Sequence, residues 1–160
     1  MAFNRILIAN RGEIAIRLAR AIADCGTTSV AVYAEDDAQS LHVRSADQAI
    51  ALEGQGVAAY LDAAQLIRIA KEQSCDAIHP GYGFLSENAH FAEVCENCNI
   101  RFIGPKSDAM NALENKALSR ELARKAGVPI PPGSKDVVET EQEALKTAKE
   151  IGYPVMIKAV

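Results

Sequence analysis

The sequence predicts an α/β fold in which a doubly wound, mainly parallel sheet is covered by helices on both faces. Two observations lead to this fold class. Five short strand-like segments alternate with four segments of helical periodicity between residues 5 and 104, which is the element order of a mainly parallel sheet. The first segment, residues 5–9, is an apolar run of the kind found in strands that are buried on both faces.

The remaining elements follow in order from local composition. Residues 28–34 are rich in β-branched side chains, which favour strands. Asp62 is a good N-cap for the amphipathic helix that follows it, and residues 53–60 are predicted to be a loop. The predicted strands are 5–9, 28–34, 48–52, 76–79 and 101–104, and the helices between them are 14–26, 41–46, 62–74 and 87–98.

The pattern changes after residue 104. Residues 107–127 form two helical pieces with no strand between them, and residues 128–134 contain three prolines and form a connector. A charged amphipathic helix at 139–152 precedes a predicted strand that begins at Tyr153. We therefore expect an α/β domain at 1–105, a helical connector at 106–135 and the start of another domain at 136–160. An apolar strand at the end of the chain suggests that a longer protein continues it.

Composition excludes several classes of protein. The 160 residues carry a formal net charge of −4 and no basic block, so nucleic acid is not expected as a partner. No apolar run reaches the roughly 18 residues of a membrane span, and the N-terminus does not resemble a signal peptide. We expect a cytoplasmic protein with reduced thiols.

The cysteines and histidines do not predict a metal centre. Cys95 and Cys98 have C-x-x-C spacing, but no second pair completes a zinc site. We expect them to pack as small hydrophobic residues of a helix. The three histidines, His42, His79 and His90, lack metal-ligand spacing.

Two loops leave strands at the sheet edge where doubly wound folds bind ligands. The first, "ANRGE" at 9–13, has one glycine instead of the three in a dinucleotide fingerprint, which disfavours an NAD-dependent dehydrogenase. The second, "HPGYGFLSEN" at 79–88, has glycines that permit positive φ or close backbone approach. Its aromatic residues fit either a ligand site or a rigid turn that closes the sheet edge. Ser86 could cap the helix that begins near Glu87.

Charged side chains give two further candidates. Lys158 lies in the apolar segment "PVMIKA", where a lysine needs an anion or a carboxylate. It could reach a nucleotide phosphate, or it could protect an edge strand from aggregation. On the first predicted helix, Glu13, Arg17, Arg20 and Asp24 form a charged stripe, which is usually a solvated face with i,i+4 pairs.

Four segments together resemble the N-terminal part of biotin carboxylase. They are "RILIANRGEIAIRLARA", "HPGYGFLSEN", "FIGP" and "GYPVMIKA". The resemblance implies a Rossmann-like domain, a helical connector and the start of an ATP-grasp domain. It also implies an ATP-dependent ligase that uses MgATP and bicarbonate to carboxylate biotin on a carrier protein. Magnesium (or manganese), a biotin carboxyl carrier, a carboxyltransferase that sets the final acceptor, and a homodimer are the implied cofactors and partners.

The resemblance also assigns roles to residues. Lys116 and Lys158 match the ATP-binding lysines of the family, and Arg17 and Arg20 match positions at its dimer interface. The loop lines the active-site entrance, with Tyr82 and Gly83 on the biotin side. Its implied entrance residues are His79, Gly81, Tyr82, Gly83, Phe84, Ser86, Glu87 and Asn88.

The sequence departs from the family pattern in two ways that bear on the expected activity. "ENK" stands where the family usually has "GDK", and the family's glycine-rich phosphate loop, metal ligands and catalytic arginine would lie after Val160. We therefore expect no catalytic residue and no activity in these 160 residues alone. The alternatives are another ATP-grasp ligase, such as a carbamoyl-phosphate synthetase or a purine-pathway carboxylase, and a non-catalytic scaffold with the same fold.

Overall fold

A computed structural model describes residues 3–114, 116–134 and 137–157. The chain divides into two compact units, Met1–Met110 and Asn111–Val160. The first unit contains a five-stranded, entirely parallel sheet, which confirms the predicted fold class. Its strands are β1 (Arg5–Ile8), β2 (Thr28–Tyr33), β3 (Gln48–Ala51), β4 (Ala77–His79) and β5 (Arg101–Phe102), in the spatial order β3-β2-β1-β4-β5.

Helices fill the connections between the strands, and a 3₁₀ turn at Glu35–Asp37 follows β2. The helices that end within the first unit are α1 (Gly12–Asp24), α2 (Leu41–Ser45), α3 (Gly56–Tyr60), α4 (Ala63–Glu72) and α5 (Ala89–Asn97). Three more follow, α6 (Ser107–Glu114), α7 (Lys116–Lys125) and α8 (Glu141–Ile151).

The sheet reverses its winding direction between β1 and β4. From β1 the chain crosses to β2 and then β3 on one side, whereas β4 pairs with the other side of β1 and leads to β5. Leu7 is therefore in register with Val30 of β2 and with Ile78 of β4. The loops after β1 and β4 meet at this switch point, where doubly wound sheets form a ligand-binding crevice.

Each face of the sheet has its own core. The small side chains of α1, Ala15 and Ala19, are buried against Ile6 and Ile8. Ala21 of the same helix is exposed. The other face carries the larger core, in which Phe91 of α5 meets Phe102 edge-on with ring centroids 6.0 Å apart. Helices on both faces bury most of the central strands β1, β2 and β4, as the apolar strands predict, whereas the edge strand β3 is only partly buried.

Three local predictions were wrong. The predicted loop at 53–60 contains α3, in which Ala59 and Tyr60 are buried by contacts with other parts of the fold. A five-residue helix is too short to show helical periodicity in the sequence, so the pattern did not predict it. Ser86 does not cap α5. Its N–H donates to the Gly83 carbonyl at 2.9 Å, and the Asn88 side chain instead accepts the Phe91 N–H at 2.7 Å.

The third concerns the strand predicted from Tyr153. The described residues 153–157 are not in a strand, because a strand requires a hydrogen-bonded neighbour and this part of the chain provides none. Met156 and Ile157 are 80% and 88% exposed. Lys158, the residue that the strand was predicted to present, lies outside the described residues.

Cys95 and Cys98 pack in the larger core as small hydrophobic residues, as the sequence predicts, whereas Cys25 is exposed. Cys95 is fully buried in α5, and burial raises the pKa of its thiol to about 12. Burial also raises the pKa of the Cys75 thiol to about 11. Within residues 3–114, 116–134 and 137–157, no cluster of three His, Cys, Asp or Glu side chains could hold a metal ion. In the same residues, no helix has the length and apolar character needed to cross a membrane.

His42 makes the stability of the first unit dependent on pH. Its side chain is 1% exposed, Nε2 lies 3.3 Å from the Val32 carbonyl, and Nδ1 has no hydrogen-bond partner among the described residues. Burial lowers the pKa of this imidazole below its usual 6.5. Since the unfolded chain takes up the proton more readily than the folded chain, this contribution to stability is complete above pH 6.5 and declines as the pH falls.

We predict that the melting temperature of the chain decreases between pH 7.5 and pH 5.5, and that His42→Gln makes this decrease smaller. Gln can still donate to the Val32 carbonyl but does not titrate. The control is His90→Gln, which replaces an exposed histidine of α5 and should keep the wild-type slope. An unchanged slope in His42→Gln, measured by circular dichroism, would contradict the prediction.

Candidate functional site

Asn10 connects the two loops that meet at the switch point. It lies two residues after β1, is 2% exposed, and donates through Nδ2 to the carbonyls of Pro80 at 2.7 Å and Tyr82 at 2.9 Å. Its Oδ1 accepts the Arg11 N–H at 2.8 Å. One buried amide group thus uses both of its donor hydrogens to hold the loop after β4 against the loop after β1.

The glycines in the loop after β4 meet two different requirements. Gly81 has φ +68°, and a Cβ on it would lie 2.6 Å from Ile14 Cγ2 and 2.9 Å from Asn10 Nδ2. Any side chain here would therefore collide with α1 and with the connecting amide. Gly83 has φ +69° with no atom within 4 Å of the Cβ position, so its requirement is conformational only.

The two aromatic residues of the loop have opposite environments. Phe84 is partly buried and packs on Tyr60, with ring centroids 5.5 Å apart. Tyr82 is 67% exposed, and its hydroxyl donates weakly to Glu13 Oε1 at 3.4 Å. Phe84 therefore fits the prediction of a rigid turn that closes the sheet edge. Tyr82 instead presents its ring and hydroxyl to solvent, beside the exposed backbone of Gly83. This part of the edge is suited to binding a ligand.

A partly buried polar network supports the ring on which Phe84 packs. The Arg11 guanidinium binds both oxygens of the Asp37 carboxylate at 2.8 Å, and it lies 5.7 Å from the centre of the Tyr60 ring. The Tyr60 hydroxyl donates to Asp37 at 2.8 Å and accepts the Ala34 N–H at 3.1 Å. Loops after β1 and β2 are thereby connected to α3.

The charge state of this network is fixed at neutral pH. Burial alone would raise the pKa of Asp37, but hydrogen bonds from Tyr60, Ser40 and Arg11 outweigh it and hold the pKa below its usual value. Burial, together with the neighbouring Asp37, raises the pKa of the Tyr60 hydroxyl. Asp37 therefore remains a carboxylate and Tyr60 a neutral donor, which is the pairing that the hydrogen bonds require.

The other predicted site residues divide into three groups. His79 ends β4, whereas Ser86, Glu87 and Asn88 lie in the loop that follows, where Glu87 and Asn88 are exposed. Arg17 and Arg20 lie on the exposed side of α1. Lys116 is the first residue of α7 in the second unit, and its side chain, like the whole of Lys158, is outside the described part of the chain.

The residues that hold the site together were not predicted. They are Asn10, Arg11, Asp37 and Tyr60. Asn10 was present in the quoted "ANRGE" motif, and a polar residue placed directly after a buried strand at the ligand-binding edge is a usable signal. The buried Asp37 and Tyr60 gave no comparable signal, because their contact joins residues 23 positions apart.

We predict that Asn10→Ala destabilises the first unit by about 1–3 kcal/mol, since the buried bond to Pro80 and the partly buried bond to Tyr82 both lose their donor. Asn10→Asp keeps the side-chain size but places a carboxylate, which cannot donate, next to the same carbonyls. It should therefore lower the free energy of unfolding by at least as much as Asn10→Ala does. Urea denaturation followed by fluorescence or circular dichroism would measure the change. Asn97→Ala, at an exposed position of α5, is the matched control, and equal stability of the Asn10 and Asn97 variants would exclude the connecting role.

Comparison with known proteins agrees with this geometry. The family model for the biotin carboxylase N-terminal domain matches residues 2–110. The family model for the carbamoyl-phosphate synthase L chain ATP-binding domain matches residues 115–160. The biotin carboxylase of Nostoc sp. is 51% identical over 160 residues, which are 99% of this chain and 36% of that protein.

Two solved structures show the same relationship. The biotin carboxylase domain of a single-chain bacterial carboxylase has a TM-score of 0.87 at 51% identity, over 97% of this chain and 36% of that one. The biotin carboxylase domain dimer of Hydrogenobacter thermophilus 2-oxoglutarate carboxylase, solved with MgADP, ADP and bicarbonate, has a TM-score of 0.87 at 44% identity, over 96% and 34% of the two chains. The chain thus spans about a third of the length of each of these three relatives. Because the N-terminal domain model covers more than half of its residues, the chain belongs to the biotin carboxylase family.

Proposed function

We propose that this chain is the N-terminal part of a biotin carboxylase, an ATP-dependent ligase that uses MgATP and bicarbonate to carboxylate biotin on a carrier protein. The observation that carries the proposal is the order of the two family matches. A biotin carboxylase N-terminal domain at 2–110 is followed by an ATP-binding domain at 115–160. The second model is named for carbamoyl-phosphate synthase, but the first and the relatives named above favour biotin as the acceptor.

Within this proposal the loop at 79–88 forms part of the active-site entrance. Its exposed face carries Tyr82 and Gly83, whereas Asn10 and Phe84 attach its other side to the sheet. A rigid, glycine-containing edge lets backbone and ring approach a ligand closely without a loss of conformational entropy on binding. We assign Tyr82 and Gly83 to the biotin side of the entrance, as the family resemblance implies.

ATP is assigned to the second unit. Lys116 and Lys158 both fall within the matched ATP-binding domain, and lysines that neutralise phosphate charge are a recurring part of phosphoryl-transfer sites. A related domain was solved with MgADP and bicarbonate, which supports the same ligands here. We further propose a cytoplasmic enzyme that acts with a biotin carrier and a carboxyltransferase.

The proposed reaction and the lysine roles are tested together in the full-length protein. Phosphate release from MgATP should require bicarbonate, and Lys158→Gln should raise the KM for ATP and lower kcat. Loss of a charge-assisted contact of about 1.5–3 kcal/mol corresponds to a roughly 10–150-fold fall in kcat/KM. Lys116→Gln should act in the same direction.

Lys149→Gln is the control, because Lys149 is an exposed residue of α8 and its loss should leave kcat/KM unchanged. The 160-residue chain by itself should release no phosphate. Bicarbonate-independent ATP hydrolysis by the full-length protein would contradict the proposed reaction, and normal kinetics of Lys158→Gln would contradict the lysine assignment alone.

We also propose that the exposed face of α1 contributes to a homodimer. Arg17 and Arg20, with Glu13 and Asp24, line a shallow concavity of about 530 Å³. In the described residues no carboxylate lies within ion-pairing distance of either arginine, so the expected i,i+4 pair between Glu13 and Arg17 does not form. Both guanidinium groups therefore remain available to a second copy of the chain.

The double variant Arg17→Glu, Arg20→Glu should shift the full-length protein from dimer to monomer in sedimentation velocity experiments. Glutamates in place of the two arginines should repel the groups of the second copy that the arginines attract. Because salt screens exposed charges, the shift toward monomer should be larger at low salt. Lys71→Glu with Lys106→Glu reverses the same amount of charge at two exposed lysines that form no ion pair among the described residues. This matched control should leave the dimer intact. A dimer that resists the α1 substitutions would leave this face as a solvated surface.

A further inference from the structure

His79 is the last residue of β4, and its ring contacts the loop that follows. The His79 carbonyl accepts the Ala9 N–H at 3.0 Å, which fixes the backbone against the end of β1. Its Nδ1 lies 3.1 Å from the Gly81 nitrogen and accepts that N–H. A neutral imidazole has one donor and one acceptor nitrogen, so an accepting Nδ1 places the ring proton on Nε2.

This contact adds a second side-chain hydrogen bond to the peptide group between Pro80 and Gly81. Asn10 binds the carbonyls of Pro80 and Tyr82, and His79 binds the N–H of Gly81 that lies between them. The ring acts as the side-chain oxygen of Asn or Asp does when it accepts the N–H two residues later in a turn. Gly81 is thereby held at φ +68°, and the following residue, Tyr82, is directed away from the sheet.

The environment of the ring favours its neutral form. His79 lines a groove of about 370 Å³. Among the described residues that line this groove, Cys25 is the only other one with a titratable side chain. The remaining lining residues do not titrate; they are Phe3, Ile6, Leu18, Ala21, Ile22, Thr27 and Ile103. The charged residues of α1, Glu13, Arg17, Arg20 and Asp24, line a separate concavity. Burial lowers the pKa of His79, and no charged group contributes to the shift.

We propose that His79 is a positioning residue, whose neutral, Nε2-protonated imidazole holds the Gly81 turn and so sets the direction in which Tyr82 is presented. Protonation adds a hydrogen to Nδ1. That nitrogen then becomes a donor facing the Gly81 N–H, so the contact is lost. The turn is therefore fixed at neutral pH and released as the pH falls through the pKa of the ring. This inference concerns the loop itself and does not depend on the proposed carboxylase activity.

Nuclear magnetic resonance of the 160-residue chain tests the proposal directly. Long-range proton–nitrogen spectra at pH 7.5 should show the His79 proton on Nε2. As the pH is lowered, the Gly81 amide should shift with the same midpoint as the His79 ring, below the usual histidine value of about 6.5. A proton on Nδ1 at pH 7.5, or a Gly81 amide that ignores the titration, would overturn the proposal.

A pair of variants distinguishes the two ring nitrogens. His79→Asn places an oxygen near the position of Nδ1, whereas His79→Gln places its amide near that of Nε2. His79→Asn should retain the hydrogen-exchange protection of the Gly81 amide and make it independent of pH. His79→Gln should reduce that protection about tenfold, the effect of losing one ordinary hydrogen bond. Equal protection of the Gly81 amide in the two variants would contradict the assignment of Nδ1 as its acceptor. The comparison needs no titration, so it tests this assignment even if the wild-type chain unfolds before the His79 ring is protonated.

Discussion

The candidate site depends on the hydrogen bonds of one buried amide group. Parallel strands β1 and β4 pair side by side, but the loops that leave them run to opposite sides of the sheet. They meet at the switch point, where the crevice forms, and the carbonyls of Pro80 and Tyr82 lie beyond the end of β4, without strand partners. Asn10 supplies both missing donors from the end of β1. The same contact therefore satisfies buried backbone groups and determines the position of the loop, which is why an apolar residue could not replace it.

The rest of the loop is arranged around that contact. Gly81 must lack a side chain because Asn10 and Ile14 occupy the space, and Phe84 turns back onto Tyr60, whose hydroxyl is held by Asp37. These attachments restrict one side of the loop and leave Tyr82 exposed on the other. Rigid support on one side and an accessible ring on the other is the arrangement expected of a binding edge whose geometry must be set before the ligand arrives.

Sequence patterns predicted the elements of this fold better than the contacts of the site. The strand at Arg5–Ile8 and the helix at Ala63–Glu72 were predicted because their signals, an apolar run and a capped periodic segment, are local. Asn10 was not predicted, because its partners lie 70 and 72 residues away and are backbone groups without a sequence signature. The choice of Asn88 instead of Ser86 as N-cap depended on the Ser86–Gly83 turn, which competes for the same stretch of backbone.

The central claim is that Asn10 joins the two loops at the switch point, and scalar couplings across hydrogen bonds measure this most directly. In the uniformly labelled chain, the Asn10 side-chain nitrogen should show couplings to two carbonyl carbons, those of Pro80 and Tyr82. Its amide protons should also exchange slowly with solvent, because the group is buried. An Asn10 amide with neither coupling and with the rapid exchange of a solvent-exposed side chain would show that the two loops are held by something else.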